Sequence, residues 1–157
     1  MSIDPRVDIG HVHLKVSDLE RALGFYSGVL GFEVMHRYGE QAAFIAAGGY
    51  HHHIGLNTWE SKDAPPPPRY STGLFHTAIR YPDRKTLADA VRRVLDAGVP
   101  LSGASDHGVS EAIYLNDPDG NGVELYCDRP RDQWPDDMYT APLDVGALLA
   151  ELDDPEE

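Results

Sequence analysis

The stretch EAIYLNDPDGNGVELYCD, Glu111–Asp128, decides the fold. Two β-like runs, Glu111–Leu115 and Val123–Cys127, flank Asn116–Gly122, whose Asp, Pro, Asn and Gly residues are turn-formers. In the second run Val123, Leu125 and Cys127 alternate with Glu124 and Tyr126. One face is therefore apolar, and the other carries a carboxylate and a phenol. Most strand glutamates are merely solvated. Histidines upstream set Glu124 apart.

Outward from the hairpin, the same elements occur twice. Ile9–Val16 (IGHVHLKV) places Val12, Leu14 and Val16 on one face and His11, His13 and Lys15 on the other. Ser17 reads as an N-cap, with Glu20 completing a capping box. Leu19, Leu23, Tyr26 and Leu30 follow at helical spacing, and Gly31 ends the helix. Phe32–Arg37 and Gln41–Ala47 read as strands, and Gly48–Gly49 lead into another, Tyr50–Thr58 (YHHHIGLNT). After the joint, Leu74–Tyr81 is a strand, and Asp83 caps a helix whose stripe is Leu87, Val91, Val94 and Leu95. Gly98 stops it, Val99–Ser102 is a short strand, and Gly103–Val109 reads as a loop before the hairpin. The joint, Trp59–Thr72, holds four successive prolines, Pro65–Pro68, which cannot pair in a sheet.

His76 follows His11 by 65 positions, and the same offset carries Asp18 onto Asp83 and Leu30 onto Leu95. Later an offset of 69 carries Phe44 onto Ile113, Ile54 onto Val123 and Leu56 onto Leu125. The shared order of elements makes this an internal duplication. The expected fold is α+β: two tandem β-α-β-β-β modules whose sheets form a shared half-open barrel around a metal site. The modules span 9–58 and 73–130, joined by the linker 59–72. Residues 131–157 form a C-terminal extension, the whole being one structural domain.

A net charge of −13, from 13 Lys and Arg against 26 Asp and Glu, argues against nucleic acid or an anionic membrane as partner. Five carboxylates sit in Glu151–Glu157, read as a solvated, frayed end. No signal peptide and no run able to span a bilayer is expected. The single cysteine, Cys127, excludes an intrachain disulfide and fits a reducing cytoplasm.

His11 and His76 fall at equivalent places, and with Glu124 they would offer two imidazoles and one carboxylate to a divalent first-row metal. The resulting net +1 site favours an anionic oxygen ligand such as a phenolate. The plain alternative is two satisfied core histidines and a solvated glutamate. The position matching Glu124 in the first half is Gly55, which removes a symmetric second carboxylate and leaves room for a substrate ring.

On the segments IGHVHLKVSDLERALGFYSGVLGF, GLFHTAIRYPD and IYLNDPDGNGVELY the chain resembles the vicinal oxygen chelate superfamily. That superfamily includes glyoxalase I, bleomycin- and fosfomycin-resistance proteins and extradiol dioxygenases. The resemblance is nearest to the catechol 2,3-dioxygenase type. It implies Fe(II), with Mn, Ni or Zn as alternatives, held by His11, His76 and Glu124. It also implies a further histidine acting as general base and then acid, offered by His52 or His53. His107, in a His-Gly segment, and Tyr114, ten residues before the ligand glutamate, would hydrogen-bond the substrate oxygen. The implied partners are a small aromatic substrate and O₂, with a homodimer expected because such enzymes often carry four modules where this chain has two. Two other readings compete: a metal-dependent lyase, isomerase or thiol transferase of the same superfamily, and a metal-free drug-binding protein. Glyoxalase I normally has a carboxylate where this chain has Gly55.

Overall fold

A computed structural model describes residues 2–153. The chain divides into two compact units, Met1–Pro66 and Pro67–Glu157, with the boundary inside the proline run.

In the first unit β1 (Val12–Lys15) leads into α1 (Leu19–Leu23), which runs on as a π-helical turn, Gly24–Val29. Three strands follow, β2 (Glu33–Tyr38), β3 (Ala42–Ala46) and β4 (Ile54–Asn57), and the sheet order is β1-β4-β3-β2. β1 lies parallel to β4, while β3 runs antiparallel to β2 and β4. Leu14, Val16, Ile45, Ile54 and Leu56 are buried with Leu19, Leu23, Phe25 and Tyr26 of the helix. The helix cap differs from the sequence reading: Asp18, not Ser17, accepts the Arg21 backbone N–H at 2.9 Å. Ser17 is otherwise engaged, its hydroxyl accepting from the Arg21 guanidinium. A carboxylate at the N-terminus also meets the helix dipole favourably.

The second unit repeats this order with β5 (Thr77–Tyr81), α2 (Arg84–Asp96), β6 (Leu101–Asp106), β7 (Ser110–Asn116) and β8 (Gly122–Asp128). It extends the sheet with β9 (Ala141–Pro142), giving the order β5-β8-β7-β6-β9. Asp83 caps α2 as expected, accepting from Thr86 N at 2.8 Å. Leu87, Ala88, Ala90, Val91 and Val94 are buried, whereas Leu95, assigned to the apolar stripe, is 39% exposed. The stretch Gly103–Val109, read as a loop, is mostly strand β6. Its small, polar residues carry little β signal, and the pairing partner β7 imposes the conformation.

The repeat is visible in the register. Val12 pairs with Ile54 and Thr77 with Val123. Each module has an irregularity at the matching place, between Val34 and His36 and between Leu101 and Gly103. One sequence alignment fails by a residue: Phe44 faces Gly55, and Tyr114 faces Glu124, so the counterpart of Phe44 is Tyr114 rather than Ile113.

The extension belongs to the second unit. Arg131–Gln133 form a 3-10 turn, and α3 (Val145–Leu149) packs on α2 with Leu148 fully buried. Glu151, placed in a frayed tail by sequence, lies in a short 3-10 turn and pairs with Arg84. The rest of that tail, residues 154–157, lies outside the described residues. Beneath α2, the Glu111 carboxylate accepts from Arg84 Nε at 2.6 Å and Arg129 Nη2 at 2.9 Å, and its side chain is only 7% exposed. Cys127, opposite Glu111 across the strands, is buried. Burial and then the Glu111 charge push its thiol up to about 11.

Gly55 fixes a close approach. A Cβ there would lie 2.9 Å from ring carbons of His13, its register partner on β1. The room that glycine leaves is thus taken by an imidazole, correcting the expectation that it stays open for a substrate ring. Gly55→Ala should lower stability by about 1 kcal/mol in the parent, from overpacking. It should be neutral or stabilising in a His13→Ala background, measured by urea denaturation; equal effects in both would disprove the contact. Glu111→Ala should cost about 3 kcal/mol by leaving two guanidinium groups without their buried partner. A loss under 1 kcal/mol in the same assay would mean solvent already screens them.

Candidate metal and acid–base site

The sheet of the second unit has one face under α2 and one face turned away from it. Alternation puts Val123, Leu125 and Cys127 beneath the helix and Glu124 and Tyr126 on the other face. Glu124 lies between two strands: Ala78 of β5 is its parallel partner, and Tyr114 of β7 its antiparallel one. His76 immediately precedes β5 on the same face as Ala78. Its Nε2 is 2.8 Å from Glu124 Oε2, with the carboxylate side chain 12% exposed. Two donors cis on one ion, with bonds of about 2.1 Å, stand about 3 Å apart. The separation fits a shared metal. His76 Nδ1 is buried with no hydrogen-bond partner among the described residues.

Gly122 makes this approach possible. A Cβ there would fall 2.2 Å from the Phe75 carbonyl oxygen and 3.1 Å from His76 Cβ. The sequence reading treated Gly122 only as a turn residue; its place at the first position of β8, beside the strand carrying His76, is its structural signal. Gly120, with φ of +83°, is the glycine that the turn itself requires.

Tyr114 continues the constellation. Its hydroxyl is 2.7 Å from His107 Nε2. Burial, then the charge of Glu124 and its hydrogen bond, raise the phenol's pKa above the usual value. The second unit therefore brings together four of the expected residues, His76, Glu124, Tyr114 and His107, in one chain of contacts. His107 joins this chain of contacts through Tyr114.

In the first unit the matching face carries imidazoles and an aromatic ring. His11 lies on β1's open side, with its ring centroid 4.3 Å from that of His52. His52 is edge-on to Phe44 at 5.2 Å, and its Nδ1 is 2.7 Å from His51 Nδ1. Desolvation, then the charges of His11, His51, His13 and His53, lower the His52 pKa. His53 turns elsewhere. Its Nδ1 accepts from Ala47 N at 3.3 Å, and its ring lies 4.7 Å from that of Tyr50. Strand alternation does not extend back to these residues, because β4 begins only at Ile54 after a bend. His13, edge-on to Phe44 at 5.7 Å and 5.6 Å from Trp59, was not among the expected site residues. Desolvation and then the charge of His11 lower its pKa. Its signal was the H-x-H spacing, which puts both imidazoles on one face. Within either unit, no three His, Cys, Asp or Glu side chains among the described residues form a ready metal cluster. Among those residues, no helix is long and apolar enough to cross a membrane.

Comparison with known proteins identifies the family. The chain is 42% identical over 160 residues to the catechol-2,3-dioxygenase of Bacillus subtilis (strain 168), covering 98% of this chain and 55% of that protein. It is 30% identical over 128 residues to biphenyl-2,3-diol 1,2-dioxygenase 3 of Rhodococcus globerulus, covering 82% of this chain and 66% of that one. The chain thus spans between about half and two thirds of the length of these relatives. Among solved structures, a glyoxalase/dioxygenase from Nostoc punctiforme shares the fold with a TM-score of 0.64 at 20% identity, over 83% of this chain and 98% of that one. The family model of the Glyoxalase/Bleomycin resistance protein/Dioxygenase superfamily matches residues 8–125, from the approach to β1 into β8, and the chain belongs to that superfamily.

Proposed function

We propose that the chain is an Fe(II)-dependent extradiol dioxygenase that opens the ring of a catechol-like molecule with O₂. Its metal ligands in this reading are His11, His76 and Glu124. The observation that carries it is the pairing of His76 with Glu124 at 2.8 Å beside Tyr114 and His107. The similarity to dioxygenases whose names specify catechol and biphenyl-2,3-diol supports the same chemistry. Two neutral imidazoles and one carboxylate suit Fe(II) and leave positions for further oxygen ligands; Mn, Ni or Zn would be held by the same donors. A glyoxalase-type reaction is disfavoured by Gly55, covered by His13, which supplies no second carboxylate.

A metal held by these residues would supply Lewis acidity toward the substrate oxygens and a route for electron density from the ring, which is the net reductant, to O₂. The chain's own residues handle protons and orientation. Tyr114 and His107 orient a substrate hydroxyl over β7 and β8. His52, against His11, takes a proton from the substrate at a ring nitrogen and later returns it. Of the two candidates His52 is preferred, because its ring lies 4.3 Å from that of His11, whereas the His53 ring lies against Tyr50.

Anaerobic loading with Fe(II), followed by catechols and air, should give a yellow ring-fission product. Tight Ni or Zn binding with thiol-adduct isomerisation, and no turnover of any catechol, would reject the reading. His76→Ala should lose metal by elemental analysis. His52→Ala should keep metal and lose about 10²- to 10⁴-fold in kcat; full activity would move the acid–base role elsewhere. Gly122→Ala should weaken metal affinity about 10-fold or more by pushing back the Phe75–His76 backbone, as a displaced ligand would. Unaltered affinity in a competition titration would show that this approach does not matter to the metal.

A further inference from the structure

The two ring nitrogens of His107 face different kinds of partner. Nε2 meets the Tyr114 hydroxyl at 2.7 Å. Nδ1 lies 3.1 Å from the backbone carbonyl oxygen of Tyr139 and 3.2 Å from Thr140 Oγ1. A carbonyl oxygen only accepts, so the Tyr139 contact is favourable only when Nδ1 carries hydrogen. In the neutral ring Nε2 is then the lone-pair nitrogen, and Tyr114 O–H donates to it.

Tyr139 and Thr140 lie in a segment that is itself fastened to the unit. Tyr139 N donates to the His107 carbonyl, and β9 pairs Ala141 with Asp106 and Pro142 with Ser105. Between these anchors the segment lies across Gly108, whose φ is +74°. A Cβ on Gly108 would stand 2.5 Å from the Tyr139 ring and 2.8 Å from Pro135. Gly108 is thus the seat on which the segment rests, and the family match, which ends at residue 125, does not include that segment.

We propose that residues 135–142 act as a strap that holds His107 in the Nδ1–H tautomer, through the Tyr139 carbonyl and the Thr140 hydroxyl. Tyr139 and Thr140 are positioning residues, acting through His107. A histidine ring free in water prefers hydrogen on Nε2, so the strap reverses the ring's own preference. The consequence concerns Tyr114, and it rests on the reaction proposed above. With its hydrogen donated to His107 Nε2, the phenol presents oxygen lone pairs to the substrate. It therefore accepts from a substrate hydroxyl, and an O-methylated analogue, with no hydrogen to give, is discriminated against. Glu124 competes for that one hydrogen, since the hydrogen bond that raises the Tyr114 pKa runs from the phenol to this carboxylate. In the proposed reading the phenol turns its hydrogen to His107 Nε2 when Glu124 is given to the metal.

The test reads the tautomer directly. Protein labelled with ¹⁵N-histidine, with Zn(II) present and at a pH where the ring is neutral, is examined by two-bond ¹H–¹⁵N correlation. The His107 signals are assigned by their loss in His107→Gln. The expected spectrum shows a protonated Nδ1 and an unprotonated Nε2. Gly108→Ala, which forces the strap off its seat, should shift the ring toward Nε2–H. Should that variant not fold, Thr140→Val decides. It should shift the same equilibrium part of the way and lower kcat about 10-fold at unchanged KM, with Thr140→Ser restoring both. An Nε2–H ring in the parent overturns the proposal, as does a Thr140→Val protein with unchanged tautomer and kcat. An Nδ1–H ring in a protein that turns over no catechol contradicts the dioxygenase reading and leaves the strap standing.

Discussion

The register between β7 and β8 is the constraint on which the candidate chemistry depends. It is set by the turn that joins them. Asp117 Oδ1 accepts the backbone N–H groups of Asp119 and Asn121, each at 2.9 Å, and Oδ2 accepts from the Asn121 side chain. A slip of one residue would move Glu124 under α2 and bring Val123 or Leu125 out to face Tyr114. The buried Glu111 anchor at the other end of β7 resists the same slip, since it would take that carboxylate away from Arg84 and Arg129. Turn and anchor therefore hold Glu124 between His76 and Tyr114 without any help from the site itself.

The two units show how one frame carries different side chains. In the second, the central position facing Tyr114 is a carboxylate; in the first, the same place facing Phe44 is Gly55, with the His13 ring over it. The open face of the first unit thus carries imidazoles and an aromatic ring, and that of the second carries an imidazole beside a carboxylate.

Much of this was legible before any coordinates. The β-α-β-β-β order followed from alternation and from the spacing between His11 and His76. The cap at Asp83 and the hairpin turn at Asn116–Gly122 announced themselves by residue type. What stayed hidden depended on contacts between distant segments. Strand β6 (LSGASD) was read only at its start, within Val99–Ser102; its small and polar remainder is strand because β7 and β9 pair with it. Helix α3 is five residues long and is stabilised by burying Leu148. Asp18 and not Ser17 is the cap because the helix begins one residue later than the capping-box spacing implied, at Leu19, which puts the Arg21 N–H over the Asp18 carboxylate. Among the site residues, His76, Glu124, Tyr114 and His107 were named from the sequence. Their supports, Gly122, Gly108 and the Tyr139–Thr140 segment, were not, because a glycine needed for close approach looks like any other turn glycine. His52 and His53 could not be separated, since the bend before β4 breaks the alternation that would have chosen between them.

In the proposed function, strand register makes His76 and Glu124 ligands of one ion. An anaerobic crystal structure of the Fe(II)-loaded protein tests it most directly. One iron is expected, with His76 Nε2 and a Glu124 oxygen both at about 2.0 to 2.2 Å, the range of such bonds to first-row metals. Iron held elsewhere, or held by only one of the two with the other turned away, would contradict it.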